Sequence, residues 1–118
     1  MSTIAVDFDG VIHGYSRGWG RGTIYDPPVD GALDALRALM EDYAVFIHTS
    51  RDPQQVATWL LSYGFTVSTD DVGVKFWDER GGLLITNRKL PALAYIDDRA
   101  IRFESWDQVF ADFAELYG

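Results

Sequence analysis

Asp7 and Asp9 stand two residues apart at the end of the short apolar run Ile4-Ala5-Val6, and Gly10 follows them. Residues at i and i+2 of a strand share a face, although the second can turn outward where the pleat breaks at the strand's carboxyl end. Two carboxylates this close are costly unless a cation neutralises them or one of them holds a proton. The stretch therefore asks for a metal, an unusual protonation state, or both. Asp97 and Asp98 close another apolar run, Leu93-Ala94-Tyr95-Ile96, and Thr49 closes a third, Ala44-Val45-Phe46-Ile47-His48. The two acid pairs offer hard oxygen ligands of the kind Mg²⁺ takes alongside water and phosphate. Thr49 adds a hydroxyl, and the Thr49-Ser50-Arg51 turn adds backbone N–H groups at a helix start, where anions bind. Lys89 adds an ammonium. A nucleophilic carboxylate, a metal, a hydroxyl and an ammonium together suit phosphoryl transfer.

These groups need a scaffold that brings strand ends together. Residues 3–8 read as a buried strand, and 12–26 as a flap rich in Gly, aromatic residues and Arg, with no Walker-type Gly-Lys-Ser/Thr ending. Val29, Ala32, Leu33, Leu36, Leu39 and Met40 recur at helical spacing over roughly 29–42. A second strand at 44–48 runs into Asp52-Pro53, an N-cap followed by proline at the first helical position, and that helix ends at Gly64. Residues 65–67 and 72–77 suggest short strands, 83–86 and 93–96 clearer ones. A capping pattern at Ser105–Gln108 opens a final helix expected to turn Val109, Phe110, Phe113, Ala114 and Leu116 inward. Alternating strands and helices predict an α/β fold: a single Rossmann-like, three-layer domain over 1–118 with a mainly parallel sheet. In such sheets ligands sit beyond the strands' carboxyl ends, where Asp7, Asp9, Thr49, Asp97 and Asp98 would converge.

Composition narrows the classes. The chain has 118 residues, 47% hydrophobic, which suits one ordinary core. A formal charge of −8 argues against broad nucleic-acid binding but leaves room for a local basic rim at Arg51, Arg88, Arg99 and Arg102. There is no cysteine, hence no disulfide framework or thiolate metal site. Acidic residues by position 7 and the lack of a long apolar run predict a cytoplasmic chain with no signal peptide and no membrane span. Nothing indicates a homo-oligomer. His13 and His48 read as structural imidazoles, and Trp59, Trp77 and Trp106 as packing residues.

Four stretches, in order, resemble the motifs of the haloacid dehalogenase superfamily of phosphohydrolases. The first is Asp7-Phe8-Asp9-Gly10-Val11; the second is Val45-Phe46-Ile47-His48-Thr49, with Ser50-Arg51 behind it. The third is a lysine, best matched by Lys89, with Lys75 as the other choice. The fourth is Tyr95-Ile96-Asp97-Asp98-Arg99. The resemblance spans residues 4–103 and implies a Mg²⁺-dependent phosphatase. In that scheme Asp7 attacks phosphorus to form an aspartyl-phosphate. Asp9 protonates the leaving group, activates water and lends its carbonyl to the metal. Thr49 binds the phosphoryl oxygens, Lys89 neutralises charge beside Asp7, and Asp97 and Asp98 anchor Mg²⁺, either of them being the direct ligand.

The intervals between the motifs leave no room for a cap domain, so the resemblance implies a capless member with an open site. The Thr-Ser-Arg turn and the Ile-Asp-Asp-Arg ending are similar to the phosphatase half of polynucleotide kinase–phosphatases. A phosphorylated substrate with a nucleotide or nucleic-acid end is the corresponding expectation. Ser50, Arg51 and the flap residues Tyr15, Arg17, Trp19 and Arg21 would contact it by stacking and by charge. Two other classes compete: a phospho-accepting receiver domain, whose order of Asp, Thr and Lys differs, and a retired enzyme of the same fold acting as a binding protein.

Overall fold

The computed structural model describes residues 2–70 and 73–117. Among them, β1 (Thr3–Asp7), β2 (Ala44–His48), β3 (Val67–Thr69), β4 (Leu83–Thr86) and β5 (Ala94–Ile96) form one sheet in the order β3-β4-β2-β1-β5. Every neighbouring pair is parallel, which gives the Rossmann-like α/β arrangement predicted from the alternation of elements. The central strands read as unbroken apolar runs because both faces are covered: Val45, Phe46, Ile47, Leu83 and Ile85 have no exposed surface. Burying each such side chain is worth about 1.5–3 kcal/mol.

Two helices cover one face. Helix α1 (Ala32–Asp42) contributes Leu36, and α2 (Pro53–Ser62) contributes Val56, Ala57 and Leu60 to a core shared with Ile4, Val6 and Phe8 of the first strand region. Helix α2 starts as its sequence dictates: the Asp52 carboxylate accepts the Gln54 N–H at 3.1 Å, and Pro53 sits where no N–H is needed. The opposite face is covered by irregular chain. Trp77 and Leu90, with Val74 and Ala92 beside them, pack on Ala5, Ala44, Phe46 and Leu84, and the Thr3 hydroxyl donates to the Trp77 carbonyl at 2.7 Å.

Three local expectations change here, the first being the strand expected at 65–67, which runs instead over Val67–Thr69 while Phe65 joins the core. Residues 73–77 form no strand; they run as an irregular segment whose side chains roof the sheet (Asp71 and Val72 lie outside the described residues). Helix α3 (Trp106–Tyr117) does not turn its apolar face inward. Phe110, Phe113 and Leu116 are each more than half exposed, Ala114 is exposed and Val109 is only half-buried. Trp106 is 66% exposed and meets Phe103 edge to face instead of packing on the core. The physical reason is competition for the sheet. The 74–92 segment already occupies the second face, and the polar stretch Asp97–Ser105 carries the chain away from it. The radius of gyration, 15.0 Å, exceeds the roughly 13–14 Å of a closely packed chain of this length, as a projecting helix requires. None of the helices among the described residues is long and apolar enough to cross a membrane.

Candidate functional site

Strand register delivers the first two acidic groups. Val6 pairs with Ile96 and Asp7 with His48, so Asp97, one residue past Ile96, comes level with Asp7 at the sheet's carboxyl edge. One carboxylate oxygen from each of Asp7, Asp97 and Asp98 lies within 4.8 Å of the others. Gly10 explains how Asp98 comes so near. Its φ is +81°, which favours glycine, and a Cβ there would stand 2.2 Å from an Asp98 carboxylate oxygen, so a side chain would displace Asp98. Asp7 is pushed up to about 6, first by burial and then by Asp97, against a backbone hydrogen bond from Phe8.

Asp9, two residues on, has the opposite surroundings. Its Oδ1 accepts from His13 Nδ1 at 2.8 Å, and Arg51 Nε donates to Oδ1 and Oδ2 at 2.9 and 3.0 Å. Both partners are fully buried, whereas the Asp9 side chain keeps 18% exposure. The His13 tautomer follows from its other nitrogen. Nε2 accepts the Asp26 N–H at 3.0 Å, so the ring proton sits on Nδ1 and points at Asp9.

The flap arches over this edge and holds itself together. Ser16 N–H donates to Asp26 at 2.5 Å, Arg17 N–H to the Tyr25 hydroxyl at 2.7 Å, and that hydroxyl to the Gly18 carbonyl at 2.6 Å. The Arg17 guanidinium stacks on Tyr25 at 4.2 Å. Tyr15 takes φ +57°, a costly conformation for a bulky residue, and its ring lines the site. A cleft of about 310 Å³ results, lined by Asp7, Asp9, Tyr15, Trp19, His48, Ser50, Asp97, Asp98 and Arg99. A larger hollow of about 470 Å³ lies between the flap and α2, lined by Thr23, Ile24, Gln54, Gln55, Thr58 and Trp59. It carries no acid or base, whereas the smaller cleft gathers four carboxylates.

The residues singled out in the sequence thus separate into two groups. Asp7, Asp9, Asp97, Asp98, Ser50, Tyr15 and Trp19 meet in the cleft. Thr49 is buried, and its hydroxyl accepts the Arg51 N–H at 3.0 Å; Ser50, not Thr49, lines the cleft. Lys89 places its ammonium 5.0 Å from the Tyr95 ring centre and does not line the cleft. Arg51 is no rim residue, being 1% exposed with its guanidinium fully engaged. Arg88 pairs with Asp70 at 2.7 Å and holds that carboxyl down at about 2. Arg17 and Arg21 are exposed on the flap outside the cleft lining, while Arg99 joins it.

Four contacts around the site were not read from the sequence: His13 on Asp9, Asp26 on His13, Arg51 on Asp9, and Asn87, whose amide donates to the carbonyls of Thr49 and Arg51 at 2.6 and 2.8 Å. Only the first carries a local signal, His13 lying four residues beyond Asp9. Three hard oxygen donors within reach of one another are a group that could hold a metal ion. Compared with protein-family models, with curated proteins and with solved structures, the chain matches none.

Proposed function

We infer that this protein is a Mg²⁺-dependent phosphohydrolase acting through an aspartyl-phosphate. The observation that carries the reading is the meeting of the Asp7, Asp97 and Asp98 carboxylates in a cleft that also holds Asp9, at the carboxyl edge of a parallel sheet. Asp7, Asp97 and Asp98 would hold the ion. Bound there, it would offset the charge of the acids and of the phosphate and let the two approach.

The remaining steps belong to the chain. An Asp7 carboxylate oxygen attacks phosphorus; the new O–P bond forms as the ester P–O bond breaks, its electron pair going to the leaving oxygen. Asp9 gives that oxygen a proton. Water then attacks the aspartyl-phosphate at phosphorus and yields its proton to Asp9, releasing phosphate and restoring the Asp7 carboxylate. Ser50, at the cleft wall, offers a hydroxyl to the phosphoryl oxygens. Thr49 acts behind it by fixing the backbone of Arg51. Lys89 has no step in this scheme. Tyr15, Trp19 and Arg99 give the cleft two rings and a cation, which favours a phosphate ester carrying a flat ring, as a nucleotide or nucleic-acid end does.

Turnover of an aryl phosphate tests the reading. Hydrolysis is expected with Mg²⁺ and should stop on adding EDTA; turnover that persists without metal would sink the mechanism. A panel of 5′- and 3′-nucleotides, end-phosphorylated oligonucleotides, sugar phosphates and phosphopeptides should then rank substrates, with ring-bearing esters ahead of sugar phosphates.

A further inference from the structure

Arg51 is a fully buried cation that touches two things at once. Its Nε holds Asp9, and its far end holds the flap: Nη1 donates to the Thr23 carbonyl at 3.0 Å and Nη2 to the Trp19 carbonyl at 3.5 Å. The guanidinium also lies 4.7 Å from the Trp19 ring centre and 5.6 Å from that of Tyr15. His13 does the same from the other side, with Nδ1 on Asp9 and Nε2 on the Asp26 N–H at the base of the flap. Asp26 in turn receives Ser16, so both ends of the flap are tied in. A buried Arg cannot leave its anion or its carbonyls unpaired without a large penalty. The arrangement of Asp9 and the seating of the flap are therefore a single linked state.

We propose that Arg51 and His13 are positioning residues that couple flap closure to the orientation of Asp9, resting on the reading of Asp9 as the proton donor and acceptor of a phosphohydrolase. Two donors converge on Oδ1. They stop the carboxylate from rotating, and Oδ2, which takes Arg51 Nε at 3.0 Å while Oδ1 takes both donors, is the oxygen with capacity left to exchange a proton with a leaving group. Opening of the flap withdraws the Thr23 and Trp19 carbonyls from Arg51 and loosens Asp9 with them. Proton transfer is then available only over a seated substrate.

The test compares leaving groups. Arg51→Lys keeps the buried charge near Asp9 but loses the fork that spans to the flap; His13→Gln loses the ring that bridges Asp9 and Asp26. With Mg²⁺, each variant should lower kcat/KM on an alkyl phosphate, which reports the step that expels the leaving group, by about 100-fold, the scale of a misplaced general acid. The loss of kcat/KM on 2,4-dinitrophenyl phosphate, whose leaving group needs no proton, should be under about 5-fold. Equal losses on both esters, or none, overturn the assignment.

A second readout needs no turnover. Trypsin should cut the exposed flap arginines Arg17 and Arg21 about tenfold faster in Arg51→Lys at unchanged circular dichroism. An unchanged cutting rate removes the coupling. A wild-type protein that hydrolyses neither ester overturns the phosphohydrolase reading, and with it the role in proton transfer, while the trypsin comparison still decides whether Arg51 holds the flap.

Discussion

Asp7 and Asp9 are two residues apart and live under opposite electrostatic rules. Asp7 faces Asp97 and Asp98 across a partly buried gap, with its proton affinity raised to about 6. Asp9 is clasped by a buried arginine and a buried histidine. The first region gathers acids at an open cleft; the second is a carboxyl to which the fold has already supplied donors. The difference teaches where to look for a ligand. An unsatisfied cluster at a cleft stores a binding demand, whereas a satisfied ion pair fixes geometry. The same contrast recurs away from the site, where Asp70 takes Arg88, the Thr86 hydroxyl at 2.8 Å and the Val74 N–H, and its proton affinity falls.

The largest effect should come from breaking the open side. Asp7→Asn is expected to lower turnover at least about 10⁴-fold and to abolish trapping of a phosphorylated enzyme intermediate, the scale on which a lost nucleophile acts. Substantial residual turnover would move the nucleophile elsewhere. Breaking the satisfied side should also damage the fold. Asp9→Asn leaves Arg51 buried without its anion and should cost about 3 kcal/mol in a denaturant titration, at the low end for a broken buried pair because Asp9 is partly exposed. A neutral result would mean that the clasp does not stabilise the protein.

Smaller effects sharpen the contrast. Gly10→Ala places a methyl group against Asp98 and imposes φ +81° on an alanine, for a loss of about 1–2 kcal/mol. It should also weaken Mg²⁺ binding by calorimetry, because the Asp98 side chain must yield; unchanged affinity would take Asp98 out of the metal's surroundings. The smallest effect reverses sign. In metal-free protein at pH 7.5, Asp7→Asn should stabilise the fold by about 1 kcal/mol, the raised proton affinity being discounted for the carboxylate's partial exposure. A carboxyl whose folded value lies above its unfolded one destabilises fully above about 6 and not at all below about 3.8. The gain should therefore fade on acidification through that window. Thermal melts at pH 7.5 and pH 4 read it directly, and a gain that persists at pH 4 would have another origin.

Much of this architecture is local in origin. The apolar runs of β1, β2 and β4, the Asp52-Pro53 start of α2 and the alternation that dictates a parallel sheet can be read from a few neighbouring residues. So can the arrival of Asp7, Asp9, Asp97 and Asp98 at strand ends. The segment at 73–77 has the composition of a strand but becomes a roof, because a buried face needs covering and Trp77 and Val74 are the side chains that reach it. Helix α3 has an amphipathic pattern, yet a pattern says only that one face is apolar and not that a surface is free to receive it.

Arg51 shows the same limit at the site. It follows a Thr-Ser turn in an acidic chain, a setting that suits an arginine facing substrate, but its partners are Asp9, 42 residues away, and the carbonyls of Trp19 and Thr23. Such pairings depend on strand register and on the path of the flap, which no local spacing encodes.

What the sequence determined by itself was the set of chemical groups and the strand ends that carry them, since strand and cap preferences act over a few residues. Tertiary structure alone decided how those groups divide. Asp7 was left facing other acids, Asp9 was given to Arg51 and His13, Lys89 was sent to Tyr95, and Ser50 took the cleft wall from Thr49. Charge satisfaction is settled by whatever the rest of the chain brings within a few ångströms, and that is a property of the packed molecule.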